Sequence, residues 1–199
     1  MTWDDLIAEH GRVFDAIVSS VNSPTPAIPV PTIMTIALQR SRHLVEAYRV
    51  LIDARNLTAA SALIRMQLDS LMRVHACSLV VDPMALWTAL QTDARWSKVK
   101  SADGKDLTDA YLHEHLSLKY PWACELYRRM SGYVHLGRPH LDATIRGKPF
   151  RDMLLSFSGA SAQVTDEQVR ENMEHMLTVT HALLDSCRTG GPLGSEATS

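Results

Sequence analysis

Cysteine is scarce in this 199-residue chain, and its three copies stand far apart at Cys77, Cys124 and Cys187. No Cys-x-x-Cys pair occurs, so spacing indicates neither a zinc ribbon nor a disulfide framework. Isolated thiols in apolar segments are expected to serve as core packing in a reducing compartment. A basic excess is missing as well. Lys and Arg number 20 against 22 Asp and Glu, a net charge of −2. That balance argues against a general nucleic-acid-binding surface and leaves room for a local basic pocket. Long unbroken apolar runs are also lacking. Residues 16–39 carry no charge, but Pro24, Pro26, Pro29 and Pro31 interrupt them, so no membrane span is expected. The acidic opening Met1-Thr2-Trp3-Asp4-Asp5 does not read as a signal peptide, and a cytoplasmic protein is expected by elimination.

Several catalytic signatures are missing too. The glycines are scattered, with no Gly-rich phosphate loop and no dinucleotide fingerprint. Phe157-Ser158-Gly159-Ala160-Ser161 lacks the leading glycine of a nucleophile elbow and reads as a turn. Nine histidines are present, yet no Glu-x-x-His and no His-Glu-x-x-His occurs, so a di-iron bundle is not indicated. His113 and His115 are two apart and point in different directions on a helix, and His135 and His140 straddle a Gly-Pro break. No clustered metal ligand set and no cofactor is called for, and zinc chemistry is left only to a site assembled from distant histidines, which would make the chain a zinc-dependent hydrolase.

What is present is helical pattern, in a chain 46% apolar and 21% charged. Trp3, Leu6, Ile7, His10, Val13, Phe14, Ile17 and Val21 recur at helical spacing, which predicts a helix over 2–21 capped by Thr2. A proline-rich connection follows over 22–30. The second helix is expected from Pro31 or Thr32 to about Arg55. The third, Thr58 to Val81, is the most apolar and should be central. The short turn at Asn56-Leu57-Thr58 makes it the antiparallel neighbour of the second.

Asp82-Pro83 opens a fourth piece reaching about Trp96, and Lys98 to Lys105 reads as a polar loop. A short helix is expected over 107–119, and another over 122–136, ended by Gly137 and Pro139. No helical period runs through 137–165, where 141–145 and 153–157 suit a small hairpin or an ordered loop. Thr165 with Gln168 forms a capping box for a last helix to about Cys187. The fold class is therefore all-α. We expect a bundle of about five or six helices with an irregular insertion, one domain over 1–188 and a disordered tail over 189–199.

The densest chemistry lies in Tyr127-Arg128-Arg129-Met130-Ser131-Gly132-Tyr133-Val134-His135. At roughly 100° per residue, Arg128, Ser131 and His135 share one helical stripe, and Arg129 points about a third of a turn away. A guanidinium, a hydroxyl and an imidazole on one stripe can bind a phosphate or assist phosphodiester cleavage. The same residues can simply line a bundle, with the arginines reaching water. A second stripe, Arg65, Asp69 and Arg73 at i, i+4 and i+8, is either a surface ion-pair ladder or one wall of a polar cavity that meets Arg128 and His135.

The Arg-x5-His and Arg-x6-His spacings in an all-helical chain resemble the Arg-x4–6-His motif of the HEPN superfamily. The segment 127–135, together with Ala62-Leu63-Ile64-Arg65-Met66-Gln67-Leu68-Asp69, also resembles a family of bacterial helical proteins in which an Arg…acidic helix precedes a Tyr…Ser…His helix. The resemblance spans roughly 35–187 and rests on short motifs. It implies a helical bundle, often dimeric, in bacterial defence or stress biology. Many members are metal-independent ribonucleases of toxin–antitoxin or phage-defence systems, and others are binding modules without nuclease activity.

On the nuclease expectation Arg128 or Arg129 stabilises the phosphorane charge and His135 moves the proton. Tyr127 and Ser131 orient the phosphate, and Arg65 and Asp69 add to the pocket. RNA, a second copy of the chain and an antitoxin-type protein would be the partners. The chain departs from the nuclease pattern, whose Arg is usually followed by Asn, Asp or His, whereas Arg128 is followed by Arg129 and Arg129 by Met130. The alternative is a non-catalytic binding module that uses the same polar pocket for an anion.

Overall fold

Helix α1 spans Trp3–Val21 and buries Leu6, His10, Val13 and Ile17, a stripe one helical repeat wide. The computed structural model describes residues 3–21, 29–135, 137, 138, 140, 145, 146, 154, 155 and 164–189. The expected cap at Thr2, most of the proline-rich connection, Leu136, Pro139 and the tail from 190 lie outside them.

Seven α-helices are present among the described residues. The others are α2 (Val30–Asp53), α3 (Leu57–Ala76), α4 (Pro83–Gln91), α5 (Asp109–Lys119), α6 (Ala123–Val134) and α7 (Asp166–Thr189). The two short helices α4 and α5 carry the number past the expected five or six. The insertion contributes one described pairing, Ile145–Arg146 antiparallel to Leu154–Leu155, with Ile145 opposite Leu155.

The α2–α3 connection closes as the local chemistry requires. The Asn56 N–H donates to Leu51 O and the Arg55 N–H to Ile52 O, which satisfies two carbonyls at the end of α2. Arg55 takes the left-handed position (φ 54°) that glycine usually fills, and its side chain reaches Asp166 and Val164 O. The Asn56 side chain then caps α3 by accepting from the Ala59 N–H.

Helix α3 is central, packed by α2, α5, α6 and α7. It buries Ile64, Gln67, Leu68, Leu71 and Met72 completely. It also ends five residues before the expected Val81. The N–H groups of Cys77, Ser78 and Leu79 bond to carbonyls three residues back, and this tighter winding turns the chain toward the Asp82 cap of α4. The fourth piece is shorter than expected as well, stopping at Gln91, with Trp96–Lys98 a separate 3-10 turn.

Two buried polar networks lock the bundle. His10 Nδ1 bonds to Leu6 O, an acceptor only, so Nδ1 carries the proton and Nε2 accepts from the Ser41 hydroxyl at 2.8 Å. Ser41 Oγ in turn accepts from Gln67 Nε2, which also donates to Thr180 Oγ1. Four helices, α1, α2, α3 and α7, are tied through four side chains. The second network runs from the Tyr48 hydroxyl to Asn172 Oδ1 and from Asn172 Nδ2 to Ser61 Oγ, both at 2.7 Å.

All three cysteines are free thiols. Burial pushes Cys77 and Cys187 up to about 12, which leaves them inert as nucleophiles.

Candidate functional site

The strongest concentration of charge lies where α3, α5 and α6 meet. Residues 65, 69 and 73 fall on one face of α3 because they are separated by four, and that face looks toward the start of α5. Thr108 caps α5 by accepting from the Tyr111 N–H, which places Asp109 in the first turn, directly over that face.

Three donors converge on the Asp109 carboxylate. Arg73 Nη2 donates to Oδ1 at 2.7 Å, while Arg65 Nη2 and the Tyr127 hydroxyl reach Oδ2, each at 3.4 Å. Both guanidiniums are held from other sides. Arg65 Nε donates to Ser131 Oγ at 3.2 Å, and its guanidinium carbon lies 4.0 Å from the centre of the Tyr127 ring. Arg73 also pairs with Asp69 at 3.1 Å and lies over Trp96 at 5.5 Å. Asp69 reaches on to Arg40 of α2 at 3.6 Å. Ser131 spends its own proton on Tyr127 O at 2.7 Å, the back-bond open to a hydroxyl inside a helix.

The four residues expected to bind a ligand thus fall into one cluster. Arg65, Tyr127 and Ser131 touch directly, and Asp69 joins them through Arg73 and Asp109. The stripe on α3 is half-buried against α5 and α6 and is more than a solvated ladder.

The three residues expected to be catalytic do not gather there. Arg128 is largely exposed, and its nitrogen contacts Glu125 at 3.2 Å and Cys124 Sγ at 3.7 Å, both on its own helix. Arg129 faces the other way and pairs with Glu171 of α7 at 2.7 Å. That hydrogen bond is the main cause holding Glu171 below the usual carboxylate range. His135 is exposed and caps α6, its N–H bonded to Ser131 O while the backbone turns extended (φ −101°, ψ 157°). Helix α6 ends one residue before it. Gly137 then comes so close to Gly132 that a Cβ would meet Gly132 Cα and O at 3.0 Å.

Sequence reasoning did not single out Asp109, and weighed His113 only as a metal ligand beside His115. His113 stacks on Tyr127 with ring centroids 4.3 Å apart, and its buried Nδ1 has no hydrogen-bond partner. Burial, and then Arg65 and Arg128, depress its pKa, with Glu114 and Asp109 opposing. The expected divergence of His113 from His115 is observed, since His115 turns to α3 and meets His75 at 3.0 Å between nitrogens. A threonine cap followed by an aspartate was the legible sign at this place. It announces a helix start and says nothing about a guanidinium 44 positions earlier.

Among the described residues no group of three or more His, Cys, Asp or Glu is placed to hold a metal ion. No described helix is long and apolar enough to cross a membrane. Comparison with protein-family models, with curated proteins and with solved structures finds no match.

Proposed function

We propose that the chain is a non-catalytic helical binding module that takes up an anion at Arg65 and Arg73. One observation carries this. Two half-buried guanidiniums and a phenol converge on one point, while the imidazole and the other two arginines of the α6 motif are engaged elsewhere or exposed. A site rich in fixed donors, with the motif imidazole of His135 outside it and His113 stacked on the Tyr127 ring, suits binding better than bond cleavage. Arginine forks at such a site favour oxyanions with several acceptor oxygens.

Titration of the full chain with inorganic phosphate, followed by NMR of the arginine Nε–H groups, tests the assignment. The Arg65 signal is expected to move, and Arg65→Gln should weaken binding at least tenfold. Absence of any shift at tens of millimolar phosphate overturns it.

A second function has its own support. Arg128 on α6 and His135 just past its end are both exposed, where a second copy of the chain or an RNA strand could reach them. That suits the HEPN-like, metal-independent ribonuclease acting as a homodimer. Cleavage of RNA in the presence of a chelator, lost in His135→Ala with the helical circular dichroism retained, would favour it over the module.

A further inference from the structure

We infer that Asp109 is an internal stand-in for the ligand of this site, and that the ligand it holds the place of is a phosphate dianion. This rests on the anion-binding assignment above and adds to it the chemical class of the ligand and the group that competes with it.

The layering of the site is the first support. The Arg65 side chain is 14% exposed and the Asp109 side chain 42% exposed. The cations form the floor, and the carboxylate lies outermost among the groups it touches. The floor does not need the carboxylate to keep its shape. Ser131 and the Tyr127 ring hold Arg65, and Asp69 and Trp96 hold Arg73. Asp109 is not needed to begin α5 either, because Thr108 supplies the cap. A rotation of one short side chain toward water therefore opens a preformed pair of guanidinium forks.

Charge is the second support. The connected cluster holds three guanidiniums, Arg40, Arg65 and Arg73, against the two carboxylates Asp69 and Asp109, one positive charge in excess. With Asp109 swung out, the same floor has two positive charges uncompensated. A phosphate dianion matches that charge, whereas a second carboxylate neutralises only half of it. Its several oxygens can also take the Arg73, Arg65 and Tyr127 donors that now share two. The bond lengths agree, since two of the three contacts to Asp109 are long at 3.4 Å and the carboxylate fills the site imperfectly.

The full chain, its Asp109→Asn and Asp109→Ser variants and an Arg65→Gln/Asp109→Asn double variant are titrated at neutral pH. The probes are inorganic phosphate, phosphoserine and acetate, read by the arginine Nε–H signals. The expected result is phosphate binding to the natural chain that tightens at least tenfold in both single variants and is lost in the double variant. Acetate should bind more weakly than phosphate throughout. Tighter binding of phosphoserine than of inorganic phosphate assigns the site to a phosphomonoester, and the reverse to free phosphate.

Phosphate binding that is unchanged in both single variants overturns the role of Asp109 and leaves the binding module standing. Acetate binding equal to phosphate overturns the dianion assignment alone. No binding of any probe by the natural chain or by either single variant, with their circular dichroism unchanged, removes the module and the inference together.

Discussion

Ser41 shows how much one side chain can decide. Its hydroxyl lies between His10 Nε2 and Gln67 Nε2, and all three residues are buried. Gln67 Oε1 already lacks a partner, so the network has no spare donor nearby to replace the lost hydroxyl. Ser41→Ala would leave a buried imidazole nitrogen and a buried amide hydrogen unpaired. A loss of about 1–3 kcal/mol is expected, read from urea unfolding at pH 7. A change below about 0.5 kcal/mol would show that water replaces the hydroxyl. Arg129 belongs to the opposite regime. Its pair with Glu171 is close to half exposed at both ends, so it fastens α6 to α7 weakly and is screened by solvent.

Elements are governed by their ends as much as by their faces. Helix α2 stops because Arg55 adopts a left-handed backbone, and α3 restarts at once on the Asn56 cap. Helix α6 stops with His135, and the chain leaves through the Gly132–Gly137 approach. Backbone atoms on both sides of that contact cannot rotate away as a side chain can. Gly137→Ala is therefore expected to destabilise the protein by about 1–3 kcal/mol, as overpacking does. Thermal unfolding checks it, and an unchanged midpoint would mean that the segment after α6 shifts freely. The variant also separates the two functional assignments. It disturbs the exposed end of α6 near His135 more than the floor formed by Arg65 and Arg73.

Across the whole molecule, acid is the condition to which the bundle should be most sensitive. Burial, with help from His115 and Lys119, lowers His75 from 6.5 to about 4. His10 is lowered chiefly by burial too. Both folded values lie below the unfolded one. Below pH 6.5 the unfolded chain therefore binds more protons, and stability present above that pH is lost as pH falls toward 4. His75 alone should contribute a slope of about 1.4 kcal/mol per pH unit in that window. Urea unfolding at steps from pH 7 to 4 measures it, and His75→Asn should flatten the slope. A wild-type profile level over this range would rule out neutral burial of His75.

Helical spacing, proline breaks and caps are local properties, and so the sequence by itself determined the all-α class, the α2–α3 hairpin and most helix ends. Its signals act within about four residues, the reach of a helical hydrogen bond or a capping side chain. It also placed Arg65, Asp69 and Arg73 on one face, because that spacing is a property of one helix. Which way the face turns depends on how neighbouring helices are rotated and docked, and no local pattern records that. Only the tertiary structure brought Asp109 over Arg65 and Arg73, sent Arg129 to Glu171 and left His135 at the surface. The short α3 was decided there too, where Ala102 N bonds Leu79 O and draws the chain aside. Each of these contacts joins groups on different elements, and their geometry exists only once the core has packed.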